Sequence, residues 1–264
     1  MDRQKTLYHY TSFNAIVHIL DYSQECVQKD KLMDFLFGDP LNTNDKKEIM
    51  FFEKHFFTDS VISNEIKLEM ERVKQESPYP FFMSLIHHQG SKWYPKNEIP
   101  MWNMYGDNSK GVRIAFNYKL LENFCNKEGY ILRNCIYFNE SEMREVARIS
   151  RDKVKKAEKS EWHPLLRDIY SDSLFYKTKD WDYEQEYRII VWDEGVNICT
   201  NAYNGKRYCK VPLPLECIRE ITIGPLADKL VTERCLKLIR EKLQSLLGEE
   251  SIQFDIDHSK LQIR

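Results

Sequence analysis

The stretch Tyr183–Val191, YEQEYRIIV, sets two carboxylates and a guanidinium at alternating positions in a segment otherwise suited to a buried strand. Side chains at i, i+2 and i+4 of a strand share a face. Glu184, Glu186 and Arg188 are therefore expected to project together, followed by Ile190 and Trp192, while Tyr187, Ile189 and Val191 fill the other side. Two carboxylates about 7 Å apart along one strand, as the period-2 repeat sets, suit chemistry at a glycosidic bond. One can steady an oxocarbenium-like centre while the second takes a proton from the incoming nucleophile. The plain alternative is a half-solvated strand whose charges face water. Against it, the face turns apolar after Arg188, where a charge wants a partner, and Glu186 is the near neighbour.

The elements that position these residues follow from periodicity. TLYHYT (6–11) alternates and is rich in β-formers, so it reads as a short strand, with His9 and Thr11 on one face and Tyr8 and Tyr10 on the other. Ser12 suits an N-cap for a helix with Ala15, Ile16, Ile19 and Leu20 on one face. Asp45 and Glu48, after Asn44, have the spacing of a capping box ahead of a second helix, and 59–77 predict a third. YPFFMSLI (79–86) reads as a buried strand, PMWNMYG (100–106) as a short helix or turn, and 110–117 and 130–138 as strands. A charged helix over 141–160 and another over 163–176 precede the strand at 183–192. YCKVPL, IREITIG and SIQFDID add strands, with a helix at 227–247 between the last two. Helices and strands mix without regular βαβ alternation, which predicts an α+β fold. We expect one domain over 1–264 with a charged helical insertion near 140–176.

Composition narrows the function classes. Apolar residues make up 42%, the formal charge is −2, and nine glycines and nine prolines leave no linker-like tract. That charge speaks against a protein held on nucleic acid by bulk electrostatics. The seven cysteines show no CxxC spacing, and the odd count argues against a disulfide framework. The start, MDRQKTLYHY, has no apolar leader region, and no apolar run approaches a membrane span, so a reduced cytoplasm is expected. The sequence contains no HExxH, GxGxxG or GxxxxGK[ST] pattern, which excludes zincin, dinucleotide-binding Rossmann and P-loop signatures.

Several pieces occur together in a telling order. LYHYT, NDKKE, FFMSLI, PMWNMYGDNSKGVRIAF and WDYEQEYRI resemble a bacterial family known as domain of unknown function 2971, with MWxxYGxxxxGV and WxYExEYR the specific motifs. That family is similar to a divergent branch of the ADP-ribosyltransferase superfamily. The resemblance implies two small, mostly antiparallel sheets around a cleft, with surrounding helices, and a fold that splits NAD. His9 and Thr11 then match a strand motif in which the His hydrogen-bonds ribose hydroxyls, although Tyr10 replaces the usual Gly and would crowd the site. Ser84 is the candidate to orient the catalytic glutamate, Tyr105 to stack on nicotinamide, and Trp102 to form its wall. Glu186 corresponds to the glutamate that engages the nicotinamide ribose, and Glu184 to the one that activates the acceptor. NAD is the implied substrate, and no metal is needed because nicotinamide leaves as a neutral ring.

The remaining candidates have simpler expectations. Asn44, Asp45 and Glu48 are expected to form a helix cap, with a role near the ligand as the alternative. Arg188 pairs with Glu186 or reaches a pyrophosphate. His87 and His88 are expected in solvent without a role. Arg144, Arg148, Arg151 and Lys155 form a solvated stripe, with an acidic protein or nucleic-acid partner as the sharper alternative. The expected function is ADP-ribosyl transfer to an unidentified macromolecule, protein or nucleic acid, or NAD hydrolysis, with no membrane partner and with an antiphage or toxin role compatible. The alternative is a non-catalytic nucleotide or nucleic-acid sensor on the same fold.

Overall fold

The centre of the molecule is a strand that is apolar on both faces. The computed structural model describes residues 5–21, 32–40, 46–58, 63–76, 79–88, 98–200, 205–248 and 254–261. In it, β3 (Tyr79–Ile86) pairs along its whole length, antiparallel, with β8 (Glu186–Asp193). Phe81, Met83 and Leu85 join Ile189 and Val191 in the main core, while Phe82 and Ile190 point the opposite way into a second cluster. Burial on both faces explains the near-continuous apolar run of β3.

The other strands attach to this pair in three groups. β5 (Ile131–Asn134) lies on the far edge of β8. β1 (Thr6–Thr11) pairs antiparallel with β4 (Val112–Asn117), which continues to β11 (Ile218–Ile223) and, in parallel, to β12 (Asp255–His258). β2 (Leu32–Gly38) pairs with β10 (Arg207–Pro214), which carries β9 (Ile198–Thr200). β1 and β2 both meet the free edge of β3, each through a single register pair: Tyr8 opposite Ile86 and Gly38 opposite Phe82. Between those two junctions the strands splay, and a cleft opens over Ser84. A small parallel pair, β6 (Ile136–Phe138) with β7 (Tyr176–Thr178), stands apart.

Helices cover both sides. α1 (Phe13–Asp21), α5 (Tyr118–Glu128) and α8 (Lys229–Leu247) pack on the main core, where Ile16, Leu121 and Leu236 are buried. α2 (Lys46–Phe56), α3 (Asn64–Gln75), α6 (Glu140–Lys156) and α7 (Trp162–Ser173) enclose the second cluster through Phe52, Met70, Met143 and Leu166. α6 begins with a complete capping box between Asn139 and Glu142. Asn44 and Asp45 lie outside the described residues, as does the side chain of Glu48, so their expected cap has no structural counterpart here.

α4 (Glu98–Tyr105) and the turn after it account for the MWxxYGxxxxGV motif. Trp102 is fully buried with Met101, Tyr10 and Ile86. A Cβ on Gly106 would press into Trp102, and one on Gly111 into the Thr11 carbonyl. Asp107, Asn108 and Ser109 all adopt positive φ, and Ser109 N–H donates to the Trp102 carbonyl at 2.9 Å. The motif therefore fastens α4 against the start of β4.

Candidate active site

The face of β3 and β8 that carries Phe82 and Ile190 turns polar at its next step. Ser84 stands opposite Arg188, and Ile86 opposite Glu186. β7 closes over this polar step and contributes Lys177. Glu184, Glu186, Arg188 and Lys177 are all buried, at 1, 2, 2 and 4% exposure. The half-solvated strand is thus ruled out, and each charge has its partner. Ser84 Oγ donates to Glu186 Oε1 at 2.5 Å, and Arg188 Nε to the same oxygen at 2.8 Å. Lys177 Nζ bridges the two carboxylates, 2.5 Å from Glu184 Oε2 and 2.7 Å from Glu186 Oε2. Arg188 also bonds the Leu174 carbonyl and lies 4.6 Å over the Phe82 ring.

Glu184 does not share the strand with Glu186. A 3-10 turn spans Lys179–Glu184, and Gln185 takes a left-handed conformation (φ 48°, ψ 48°) before β8 begins at Glu186. The turn lifts Glu184 off the strand and returns its side chain to Lys177. This corrects the expectation of one continuous strand face from 184 to 188. Tyr105 reaches in from α4, and its hydroxyl donates to Glu184 Oε1 at 2.8 Å.

The environment drives the two carboxylates apart. Burial alone would raise Glu186, but the adjacent Arg188 and Lys177 outweigh it and hold the acid at about 2, well below its ordinary value. Glu184 has the opposite fate. Burial and then the negative Glu186 push it up, against the pull of Lys177 and the Tyr105 hydroxyl. Burial and the neighbouring Glu184 raise Tyr105, keeping it a phenol that donates.

These groups form one end of a cleft of about 680 Å³ over the splayed strands. His9 lines it, and its Nδ1–H donates to the Ser84 carbonyl at 2.9 Å. Burial lowers the His9 pKa, so the ring is neutral and Nε2 remains an acceptor. Thr11, at the end of β1, lies outside the lining. Tyr10 lines the cleft beside His9, with most of its bulk turned into the core. Its ring is 5% exposed, edge-on to Trp102 at 5.0 Å, and its hydroxyl bonds His88 Nε2 at 2.6 Å. Trp102 is a core residue and no wall for the cleft: it is fully buried beneath α4, whereas Tyr105, one turn on, is 39% exposed and lines the cleft. His88 is buried rather than solvated, and His87 Nδ1 binds the Thr6 carbonyl at 3.1 Å.

Lys177 has no signal in the sequence reading, where it falls just past the expected 163–176 helix in no element; the helix ends at Ser173 and Tyr176–Thr178 form β7. Trp181 and Arg207 line the cleft without having been anticipated either. The alternation of Met33, Phe35 and Phe37 in β2 was the available signal for the opposite rim.

Residues 101–189 match the family model described as protein of unknown function (DUF2971). The matched segment runs from α4 into β8 and contains Tyr105, Lys177, Glu184, Glu186 and Arg188, while His9 and Ser84 lie before it. No curated protein matches the sequence significantly. Among solved structures, Thermus sp. 2.9 DarT in complex with ADP-ribosylated ssDNA is similar at 9% identity and a TM-score of 0.37, over 97% of this chain and 95% of that one. The same protein in complex with NAD+ is similar at 11% identity and a TM-score of 0.33, over 98 and 97%. Both likenesses are loose. Among the described residues, no helix is long and apolar enough to cross a membrane.

Proposed function

We propose that the cleft cleaves the nicotinamide–ribose bond of NAD and passes ADP-ribose to an acceptor, a macromolecule or water. The observation that carries this reading is the divided pair of carboxylates. Glu186 is locked ionised, and Glu184 is tuned towards accepting a proton, both at one end of a cleft edged by Tyr105. Two titratable groups driven apart by their surroundings are a common acid–base signature.

The chemistry follows from their roles. As the C–N bond to nicotinamide breaks, its electron pair leaves with the ring, which becomes neutral, and positive charge builds on the ribose. Glu186, held by Ser84, Arg188 and Lys177, stabilises that charge more in the transition state than in the ground state. Glu184 takes the proton of the acceptor as its oxygen or nitrogen bonds the ribose carbon. The acceptor lone pair on His9 Nε2 suits a ribose hydroxyl, and the Tyr105 ring suits the leaving nicotinamide.

Nicotinamide release from NAD tests this directly. Glu186→Gln should lower the rate by about 10²–10³-fold, the usual worth of one electrostatic stabiliser, with melting and circular dichroism confirming a folded variant. A folded Glu186→Gln protein that releases nicotinamide at the wild-type rate would falsify the assignment. One observation favours a second reading, a binding module without turnover. Glu186 already receives bonds from Ser84, Lys177 and two Arg188 nitrogens, leaving it little room for a substrate hydroxyl. NAD binding with no release, in the presence of candidate acceptors, would support that reading instead.

A further inference from the structure

The far end of the cleft is built differently. There β2, β3 and β10 converge, and Asp39, Lys206 and Arg207 line the wall. The two cations of the inner end are committed: Lys177 to both carboxylates, and Arg188 to Glu186 and the Leu174 carbonyl. Arg207 is held without being used up. Its Nε donates to Asp39 Oδ2 at 2.9 Å, and its guanidinium lies over the Tyr79 ring at 4.2 Å. Asp39 is buried, and its other oxygen accepts the Tyr79 hydroxyl at 2.9 Å. The main chain adds a tie, from Asp39 N–H to the Arg207 carbonyl at 3.3 Å. Beyond Asp39 and Tyr79 the guanidinium makes no further hydrogen bond or ion pair with the described residues, and its side chain is 38% exposed.

We propose that Arg207 is the seat for the phosphate groups of a nucleotide diphosphate, oriented by Asp39 and Tyr79. This rests on the reading of the cleft as a nucleotide site and adds the residue that recognises the diphosphate. A guanidinium tied through Nε presents its outer N–H groups as a flat fork, which matches phosphate oxygens bidentately. Stacking on Tyr79 fixes the plane of that fork, so little side-chain freedom remains to be lost on binding. Register gives the separation from the reacting end. Tyr208 pairs with Gly38 and Gly38 with Phe82, whereas Ile86 pairs with Glu186. Four residues from Phe82 to Ile86 span about 13 Å of strand. A ligand stretched over that edge sets its reacting sugar at Glu186 and its charged phosphates towards Arg207.

Calorimetric titration of the full chain with ADP-ribose, and with adenosine as the phosphate-free control, tests the seat. Arg207→Lys keeps the charge beside Asp39 but loses the fork. It should weaken ADP-ribose by about tenfold, the equivalent of one charge-assisted hydrogen bond, and leave adenosine unchanged. The double variant Arg207→Gln with Asp39→Asn removes both charges, so no buried carboxylate is stranded, and should weaken ADP-ribose further. Unchanged ADP-ribose affinity in both variants, or an equal loss for adenosine, overturns the proposal. So does a wild-type protein that binds no ADP-ribose. The two readings separate cleanly. Glu186-dependent nicotinamide release with ADP-ribose affinity indifferent to Arg207 removes the phosphate seat and leaves the enzyme. Arg207-dependent ADP-ribose binding without nicotinamide release does the reverse.

Discussion

The helix α6 and the cluster around Glu186 are made from the same residue types at similarly short spacings, yet they behave as different materials. On α6, Arg148 meets Glu145 at 2.6 Å and Asp152 at 2.9 Å, and Arg144 meets Glu140 at 3.5 Å, all in solvent. Water screens those pairs, and holding long side chains together offsets much of their attraction. Two of the four residues of the expected basic stripe, Arg144 and Arg148, are thus paired along the helix's own surface, while Arg151 reaches across to the His55 carbonyl. In the buried cluster, two cations and two anions, each at most 4% exposed, share the inner end of the cleft. Every bond there acts at low dielectric, and each carboxylate is displaced from its ordinary pKa in its own direction. Burial, rather than charge density, separates a candidate site from a decorated face.

The contrast is most sharply broken by removing one buried cation. Arg188→Met leaves Glu186 short of its main partner and should destabilise the fold by about 3–5 kcal/mol, read from urea unfolding at neutral pH. The sign of the pH dependence follows from the depressed Glu186 pKa. Its stabilisation is complete above the ordinary value of 4.5 and is lost as pH falls towards about 2. The gap between wild type and Arg188→Met should therefore narrow across that window. A gap independent of pH would mean that Glu186 is not the residue Arg188 stabilises.

Lys177→Met has a subtler effect. Lys177 favours the charged form of both carboxylates, so its loss raises both pKa values. If Glu184 is the base, it acts deprotonated, and the acid limb of nicotinamide release should move to higher pH, with a smaller loss at the alkaline plateau. A uniform loss at every pH would leave Lys177 a purely structural tie. At the small end, Arg148→Ala on α6 should leave both the unfolding midpoint and NAD cleavage unchanged. A marked loss of activity there would point to a partner surface on α6.

The legible part of the fold was its apolar periodicity. β1, β3, β4 and β8 and most helices lie close to where alternation or helical spacing puts them, because burial on one or two faces writes directly into residue type. β2 escapes the sequence reading although Met33, Phe35 and Phe37 alternate, and so does β7, with Tyr176 at the end of the expected helix and Lys177 and Thr178 in no element, because three residues carry too little pattern. The site was readable as a set of types, Glu184, Glu186, Arg188, Ser84, His9 and Tyr105, which the fold brings to one cleft. Its wiring was not. Lys177 becomes a bridge only because the 3-10 turn after β7 folds the chain back, bringing Glu184 and Glu186, seven and nine residues on, to its ammonium. Trp102 and Thr11 miss the cleft because side-chain direction depends on the exact turn of α4 and the end of β1. His88 is buried by Tyr10, a pairing across 78 residues that no local pattern records.

One torsion between the two glutamates has a wider bearing. Gln185 is pinned in its left-handed conformation, with its carbonyl accepting His87 N–H at 3.1 Å and its amide nitrogen reaching back to the Asp182 carbonyl at 3.3 Å. A non-glycine residue there costs about 1–2 kcal/mol. The spacing of the carboxylates is consequently encoded in a peptide hinge and not in either acidic side chain. An evolving lineage, or a protein engineer, could retune one carboxylate against the other by editing position 185 alone, while Glu184 and Glu186 stay as they are.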